Sequence, residues 1–206
     1  MPHAITPKKR RNEAIPMAES FLTIMAEYRE SDQRQISVWR DALINAGFTG
    51  NQTPGLRHHI SLATWPLEKE AQAIETVKNA AARFAPVDVA IRHIGVLPGG
   101  RTLVAAPDMS PQLSALQAAC GDSIVHGYPW LPHTTLLMDE PEQLAAALPT
   151  LMKHFIPLPA KVDRLRLCAF WPTREIFSAE LLGTEYSKEI DPLLAQSGSK
   201  TGIPKG

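Results

Sequence analysis

Cysteine, excess charge of one sign and long apolar runs are all scarce in this 206-residue chain, and each scarcity excludes a class of protein. Two cysteines, Cys120 and Cys168, cannot build a disulfide framework, and they form no C-x-x-C pair that would indicate a zinc ribbon. No apolar run approaches the roughly 20 residues that span a bilayer. The basic N-terminal stretch is not followed by the apolar segment of a secretory signal. We therefore expect a cytoplasmic protein with reduced thiols.

The charge is balanced overall but unevenly distributed. The chain carries 21 Lys+Arg against 21 Asp+Glu, which argues against a uniformly basic nucleic-acid binder. Four of the basic residues form the run 8–11, so residues 13–206 carry 17 basic against 21 acidic side chains, a net charge of −4. Such an acidic body is a poor platform for long duplexes, whose binding depends on many phosphate contacts.

Length and composition predict one folded body between two tails. A hydrophobic content of 44% over this length is sufficient for one domain, or for two small lobes, with a real core. Residues 1–16 hold three prolines and the basic run without periodicity, which predicts a flexible basic tail. We assign residues 17–190 to the folded body and residues 191–206 to a C-terminal tail.

Apolar periodicity places strands and helices along the body. The first helix has Ser31 or Asp32 as its expected N-cap and Gly47 as its end. Ser110, followed by Pro111, is expected to cap the third helix, and Asp139 to open the fourth with Glu142 as its capping-box partner. Strands are predicted at 21–28, 57–65, 87–97, 101–106, 133–138, 162–170 and 175–182, and the second helix at 67–84.

The order strand, helix, strand, strand occurs twice at a nearly constant offset. His59 corresponds to His133 at an offset of 74, Val87 to Val162 at 75, and the segment 101–104 to 174–177 at 73. Two copies of this length are too few for a solenoid. They predict an α+β fold with two lobes, in which duplicated antiparallel sheets with outer helices are related by a pseudo-two-fold around a central cleft.

The strand that opens each copy carries the same four-residue pattern. The first motif is His59-Ile60-Ser61-Leu62, near 57–65, and the second is His133-Thr134-Thr135-Leu136, near 131–138. Because side chains alternate along a strand, each histidine shares a face with the hydroxyl residue two positions on. His58 points with the apolar residues, so His59 is the histidine expected on the polar face.

These paired motifs resemble the signature of the two-histidine (2H) phosphoesterases, two H-x-[S/T]-hydrophobic motifs (HxTx) on symmetry-related strands. That family includes the bacterial 2′-5′ RNA ligase-like proteins and the 2′,3′-cyclic phosphodiesterases, and the resemblance covers roughly residues 20–190. Ser61 stands where threonine is commoner in the family. Met138 stands where RNA ligase-like members often have a basic residue, which weakens the expectation of an RNA-ligase substrate more than that of the chemistry.

Hydrolysis of a cyclic phosphodiester requires one group that takes a proton from water and another that gives one to the leaving oxygen. Histidine can do both near neutral pH, so His59 and His133 are the predicted acid–base pair, without a metal or other cofactor. The hydroxyls of Ser61 and Thr135 are predicted to bind the non-bridging phosphate oxygens. Which histidine is the acid depends on how the substrate lies.

Aromatic residues beside the motifs are candidates for stacking on a nucleobase. The predicted set comprises Trp65, Tyr128, Trp130 and Trp171. The expected partner is a nucleotide or RNA end that bears a 2′,3′-cyclic phosphate or a 2′-5′ linkage. We expect no membrane and no long duplex as a partner, and a monomeric protein.

Three alternatives stay open at the level of sequence. The enzyme could act on a small cyclic phosphate, or the same cleft could hold phosphate ends as a binding module without turnover. The segment Gly121–Ile124 resembles the opening of GDSL-type esterases, which would make Ser123 a nucleophile. His93 and His126 are interpreted as structural or surface residues.

Overall fold

The computed structural model describes residues 20–97, 99, 101–122 and 124–185. The proposed tails, 1–16 and 191–206, and the proposed limits of the body lie outside these residues. The described part contains four α-helices: α1 Glu30–Asn45, α2 Glu70–Arg83, α3 Pro111–Cys120 and α4 Pro141–His154. Its nine strands are β1 Phe21–Tyr28, β2 His59–Pro66, β3 Val87–Val96, β4 Thr102–Pro107, β5 Ile124–Val125, β6 Tyr128–Pro129, β7 Thr134–Met138, β8 Leu158–Phe170 and β9 Arg174–Glu180.

The start of α1 differs from the prediction. The helix is preceded by Arg29, which makes no side-chain cap, and Ser31 and Asp32 lie within its first turn. Asp32 is buried, and its carboxylate accepts hydrogen bonds from the Lys161 backbone N–H and from Arg29 Nε, both at 2.8 Å. The carboxylate therefore joins α1 to β8 instead of capping the helix. Gly47, with φ +93°, follows the end of α1 as expected.

The other helix starts give mixed results. Ser110 Oγ accepts a hydrogen bond from the Leu113 backbone N–H, and Pro111 is the first helical residue of α3, as predicted. The predicted capping box of α4 is wrong, because its N-cap is Glu140 and its first residue is a proline. Asp139 instead accepts a hydrogen bond from the Glu140 backbone N–H. The predicted helix at 67–84 begins with a separate 3₁₀ turn, Leu67–Lys69.

Strand β8 joins the two halves of the molecule into one antiparallel sheet. Its N-terminal part, 158–162, pairs with β3, and its C-terminal part, 162–170, pairs with β1. The sheet path runs β2-β1-β8-β3-β4-β7, and β9 pairs with β8 beside this path. The α+β class is confirmed. The two sheets expected from the sequence form one continuous sheet.

The offsets in the sequence place the start of each repeat at its motif strand. The structure places it one strand and one helix earlier, at β1 and at β4. Strand β4 pairs with the motif strand β7, whereas the place beside the motif strand β2 is taken by β1 and not by β9. The two units are therefore β1-α1-β2-α2-β3 and β4-α3-β7-α4-β8. The match of 101–104 with 174–177 was wrong, because both segments follow a long strand through a tight turn and only the pairing distinguishes them.

Helices from the two units pack against each other around this sheet. Helix α1 contacts α4, and α2 contacts α3. In the first pair Trp39 packs on Phe155 with ring centroids 4.8 Å apart. A continuous core of buried residues connects both units. None of the helices in the described residues is both long and apolar enough to cross a bilayer.

Candidate active site

The two motif strands, at opposite ends of the sheet path, are held side by side by hydrogen bonds. Thr134 Oγ1 on β7 donates to the His59 backbone oxygen on β2 over 3.1 Å. Since that hydroxyl proton is used, Tyr28 O–H donates to Thr134 Oγ1 over 2.7 Å. Trp130 Nε1, just before β7, donates to the Ser61 backbone oxygen over 2.8 Å. The sheet therefore curls until its terminal strands meet.

Alternation along β2 and β7 directs the motif side chains as predicted. The apolar-face members are buried, at 1% exposure or less: Ile60, Leu62, Thr134 and Leu136. The other members line one shared cavity of about 630 Å³: His59, Ser61, His133 and Thr135. The structure thus brings both predicted histidines and both predicted hydroxyl residues to the wall of a single cavity.

The ring of His58, the neighbour of the first motif histidine, is hydrogen-bonded to helix α1. The residue is only 9% exposed, and its Nε2 is hydrogen-bonded to Ser37 Oγ on α1 at 3.1 Å. Burial lowers the pKa of His58 to about 4, with a smaller contribution from the positive charge of Arg40. Both histidines line the cavity, but the Nε2 of His58 is bonded to Ser37, so His59 is the one of this pair whose Nε2 has no partner among the described residues.

Both motif histidines are held in the same tautomer by the same local contact. His59 Nδ1 lies 2.7 Å from the Arg57 backbone oxygen, and His133 Nδ1 lies 2.7 Å from the Leu131 backbone oxygen. A carbonyl oxygen only accepts, so Nδ1 carries the proton in each ring. Nε2 is then the nitrogen that can accept or donate a proton in the cavity.

The surroundings keep both rings neutral near neutral pH. Burial lowers the pKa of His59 to about 4, the positive charges of His133, His126 and Arg166 contribute in the same direction, and the hydrogen bond to Arg57 opposes them. Burial also lowers the pKa of His133, against the effect of its hydrogen bond to Leu131. Each ring therefore presents an unprotonated Nε2 to an incoming ligand.

The remaining polar groups of the cavity suit an anion. The hydroxyls of Ser61 and Thr135 have no hydrogen-bond partner among the described residues. None of the described residues that line the cavity is aspartate or glutamate. No group of three His, Cys, Asp or Glu side chains in the described ranges is placed to hold a metal ion.

Two of the four predicted stacking residues reach the cavity. Trp130 and Trp171 line it, and Trp171 is 52% exposed. Trp65 does not, because its Nε1 donates to the Cys120 backbone oxygen over 3.0 Å at the end of α3. The backbone of Tyr128 forms β6, and its side chain lies outside the described residues, as does Ser123.

An aromatic wall lies beside Trp171, and the sequence does not indicate two of its members, Phe21 and His126. Phe21 and Phe170 stack with ring centroids 5.3 Å apart, and His126 meets the Phe21 ring edge-on at 5.4 Å. All three line the cavity. His126 has a positive φ of 51° in the loop between β5 and β6, and no local sequence motif predicts this conformation. His93, in contrast, is a surface residue paired with Asp108, as expected.

Sequence reasoning also missed Arg40, which enters the cavity from α1. A signal was present, because Gln33, Ser37 and Arg40 follow one another at helical spacing beside the apolar stripe. Gln33 accepts a hydrogen bond from the His58 backbone N–H over 2.9 Å, and Ser37 contacts the His58 ring. This polar stripe is the surface with which α1 supports the first motif.

Comparison with known proteins gives the family. Residues 29–170 match the sequence model of the 2′-5′ RNA ligase superfamily. TT0787 of Thermus thermophilus shares 16% identity with a TM-score of 0.56, covering 79% of this chain and 98% of that one. E. coli LigT complexed with 3′-AMP shares 20% identity with a TM-score of 0.52, covering 80% and 99%. A search of curated proteins gave no match.

The duplicated antiparallel fold and the paired histidine motifs define a protein of the 2H phosphoesterase type. The chain belongs to the 2′-5′ RNA ligase superfamily, whose model spans more than two thirds of its length. At their low identity, the two solved structures show the shared fold.

Proposed function

We propose that this protein is a metal-independent phosphoesterase that hydrolyses a 2′,3′-cyclic phosphate, or a 2′-5′ phosphodiester, of an RNA end or small nucleotide. His59 and His133 act as the general acid–base pair. One observation carries the proposal: both rings line one cavity with Nδ1 bonded to a carbonyl oxygen, which leaves two Nε2 atoms for proton transfer.

The reaction needs the two histidines in opposite protonation states. One Nε2 accepts a proton from the attacking water, and the other, as an imidazolium, donates its proton to the ribose oxygen that leaves phosphorus. The phosphate oxygens gain negative charge along the way, and the hydroxyls of Ser61 and Thr135 donate hydrogen bonds to them. After the step the first ring is protonated and the second is neutral.

A bound phosphate also shifts the two histidines toward the protonation states that this chemistry needs. Without ligand both rings are neutral near neutral pH, because burial and neighbouring positive charge lower their pKa values. An anion between the rings favours the charged form of each and raises those pKa values. Substrate therefore helps to protonate the histidine that serves as the acid.

Size and lining support a nucleotide as the ligand. A cavity of about 630 Å³ lies within the range of about 300–1,000 Å³ of small-molecule sites. The wall formed by Phe21, Phe170 and Trp171 offers ring faces and edges to a base. Solved structures of E. coli LigT carry 3′-AMP, ATP and NADP+, so that relative binds nucleotides.

The direct test is incubation of the protein with adenosine 2′,3′-cyclic phosphate, with and without EDTA, and chromatography of the products. We expect a nucleoside monophosphate at the same rate in both, and much slower turnover of the 3′,5′-cyclic isomer. Activity that EDTA abolishes and a divalent cation restores would contradict metal independence. Saturable binding without product would instead favour the non-catalytic binding module.

A further inference from the structure

Among the arginines that the structure describes, Arg40 is the one without a carboxylate partner. In the described part of the chain, every other arginine has a carboxylate oxygen within 4.0 Å: Arg29, Arg34, Arg57, Arg83, Arg92, Arg101, Arg164, Arg166 and Arg174. Arg40 has none among those residues, although it is half-buried and lines the cavity. Its Nε is buried and without a hydrogen-bond partner there.

A half-buried guanidinium without a counter-ion is costly unless a ligand supplies the missing acceptor. The described lining of the cavity contains no carboxylate that could do so. Arg57, the other arginine of the lining, already pairs with Glu30 at 2.6 Å and with Glu27 at 3.6 Å. Arg40 is thus the guanidinium of this lining that is open to an anion.

Another part of the cavity wall is a loop fixed to the end of β7. The Asn51 backbone N–H donates to the Met138 backbone oxygen over 2.7 Å, and the Met138 N–H donates to Gln52 Oε1 over 3.1 Å. Gly50, at φ +67°, permits this approach, because a Cβ there would lie 2.9 Å from the Met138 oxygen. The polar residues 51–53 are therefore preorganised at the cavity wall.

Arg40 enters the cavity from α1, beside His58. Ser37, one helical turn before Arg40, contacts the His58 ring at Nε2, and the charge of Arg40 contributes to the lowered pKa of His58. The motif side chains that would hold the reacting phosphate lie on or next to β2 and β7. Arg40 therefore adds a positive charge to the cavity wall from a different element.

We infer that Arg40 binds a second phosphate of the substrate, carried on the 5′-oxygen of the nucleoside whose cyclic phosphate lies between His59 and His133. The inference rests on the proposed function and narrows its substrate class to nucleotides with two phosphates. A 5′-phosphate monoester and the 5′-linked diester of an RNA end share this chemistry.

The test compares three substrates: adenosine 2′,3′-cyclic phosphate, the same compound with a 5′-phosphate, and the dinucleotide ApA ending in the cyclic phosphate. For the wild type we expect kcat/KM roughly 10- to 100-fold higher with a second phosphate than without it, the effect of a hydrogen bond to a charged group. A higher kcat/KM with the 5′-phosphate compound alone identifies a small nucleotide as the substrate. A higher kcat/KM with the dinucleotide identifies an RNA end as the substrate. Equal values for all three substrates would overturn the inference and leave the proposed function intact.

Variants locate the effect. In Arg40→Gln the advantage of the second phosphate should disappear, and Arg40→Lys should restore part of it. Arg34→Gln is the matched control, since Arg34 lies on the same helix, is exposed and pairs with Glu30 at 3.9 Å. An advantage that persists in Arg40→Gln contradicts the role of Arg40.

A binding measurement separates this inference from the proposed function. Calorimetry with adenosine 3′-phosphate and adenosine 3′,5′-bisphosphate requires no turnover. If no cyclic substrate is hydrolysed, the proposed function fails, while tighter binding of the bisphosphate that Arg40→Gln abolishes still supports the second phosphate site. Equal affinity of wild type and Arg40→Gln for the bisphosphate overturns it.

Discussion

At the scale of single residues, the two motif histidines share one local geometry and one electrostatic effect. The contact from Nδ1 to the backbone oxygen two residues earlier is the same in both. Burial lowers the pKa of each ring, and because the repulsion between two imidazolium charges is mutual, protonation of one ring lowers the pKa of the other. The two rings therefore titrate as a pair, and the state with one neutral and one protonated ring, which the acid–base step needs, is populated between their two titrations.

The first prediction concerns the pH dependence of kcat/KM, which reports the free enzyme. One ring must be neutral and the other protonated, and both pKa values lie below the ordinary 6.5. As pH rises, the imidazolium that serves as acid is lost below pH 6.5, so we expect a bell-shaped profile with its maximum on the acid side of that value. The kcat profile should lie at higher pH, because bound phosphate raises both pKa values. A maximum of kcat/KM above pH 7.5 would contradict this assignment.

The motif residues could be predicted from the sequence because period-2 alternation is a local property. It distinguishes His59 from His58 and groups each histidine with its hydroxyl residue. The position of Trp65 could not be predicted, because the end of α3 covers that part of β2. Arg40 and His126 reach the cavity through tertiary packing and a positive φ, which residue type alone does not indicate.

At the scale of elements, the contact between β2 and β7 decides whether the two motifs face one ligand. Thr134 bridges three strands, since its hydroxyl donates to the His59 oxygen on β2 and accepts from Tyr28 on β1. Tyr28 is fully buried, and burial raises the pKa of its hydroxyl, which stays protonated and remains a donor. This link is the structural support of the paired histidines.

The second prediction is that Thr134→Val loosens this link. The valine keeps the shape but leaves a buried Tyr28 hydroxyl without an acceptor, so the free energy of unfolding should fall by about 1–3 kcal/mol. Activity should fall as well, because the two histidines lose their fixed spacing. Urea unfolding measures the first effect, and Thr76→Val, at a threonine that bonds only within α2, is the control.

A double variant tests the same link more strictly. Tyr28→Phe removes the hydroxyl that Thr134→Val leaves without an acceptor. The free energy of unfolding of Tyr28→Phe/Thr134→Val should therefore fall by less than the sum of the losses in the two single variants. Additive free energies would show that the two hydroxyls do not depend on each other.

The periodicity of the sequence predicted which strands and helices exist, but it did not predict which strands pair. All seven strands predicted from the pattern occur. Strand β2 alternates in its motif part because one face is buried, whereas β1 is buried on both faces and reads as a mainly apolar run. The two-residue strands β5 and β6 are too short to show a period. The equivalence of β4 with β1 depends on which strands pair, and strand pairing is a property of the whole sheet.

At the scale of the whole molecule, an acidic body surrounds a cavity whose described lining has no carboxylate. Residues 13–206 carry a net charge of −4, and each described arginine outside the cavity has a carboxylate partner. This distribution disfavours long duplexes and favours binding of a small anionic ligand in the cavity. The charge balance could be read from the sequence, whereas the placement of side chains around the cavity could not.

The third prediction links the buried His58 to the acid stability of the fold. The unfolded ring takes up a proton near pH 6.5, whereas the folded ring resists protonation down to about pH 4. The unfolded state therefore binds more protons in this window, and the free energy of unfolding should fall by roughly 3 kcal/mol from this group as pH drops through it.

Thermal unfolding of wild type and His58→Gln between pH 7 and pH 4.5 measures this effect. The difference in Tm between the two proteins should shift in favour of the variant as pH falls, because glutamine does not titrate. A difference that stays constant over this range would show that His58 does not remain neutral in the folded state.

The measurement that bears most directly on the proposed chemistry is the turnover of a 2′,3′-cyclic nucleotide by His59→Ala and His133→Ala. Each variant should lose roughly 10²–10⁴ in kcat, as expected when one proton-transfer group is removed. His93→Ala, at a surface histidine paired with Asp108, should retain wild-type turnover. Circular dichroism that matches the wild type would establish that the variants are folded. Full activity in either motif variant would contradict the histidine pair as the catalytic centre.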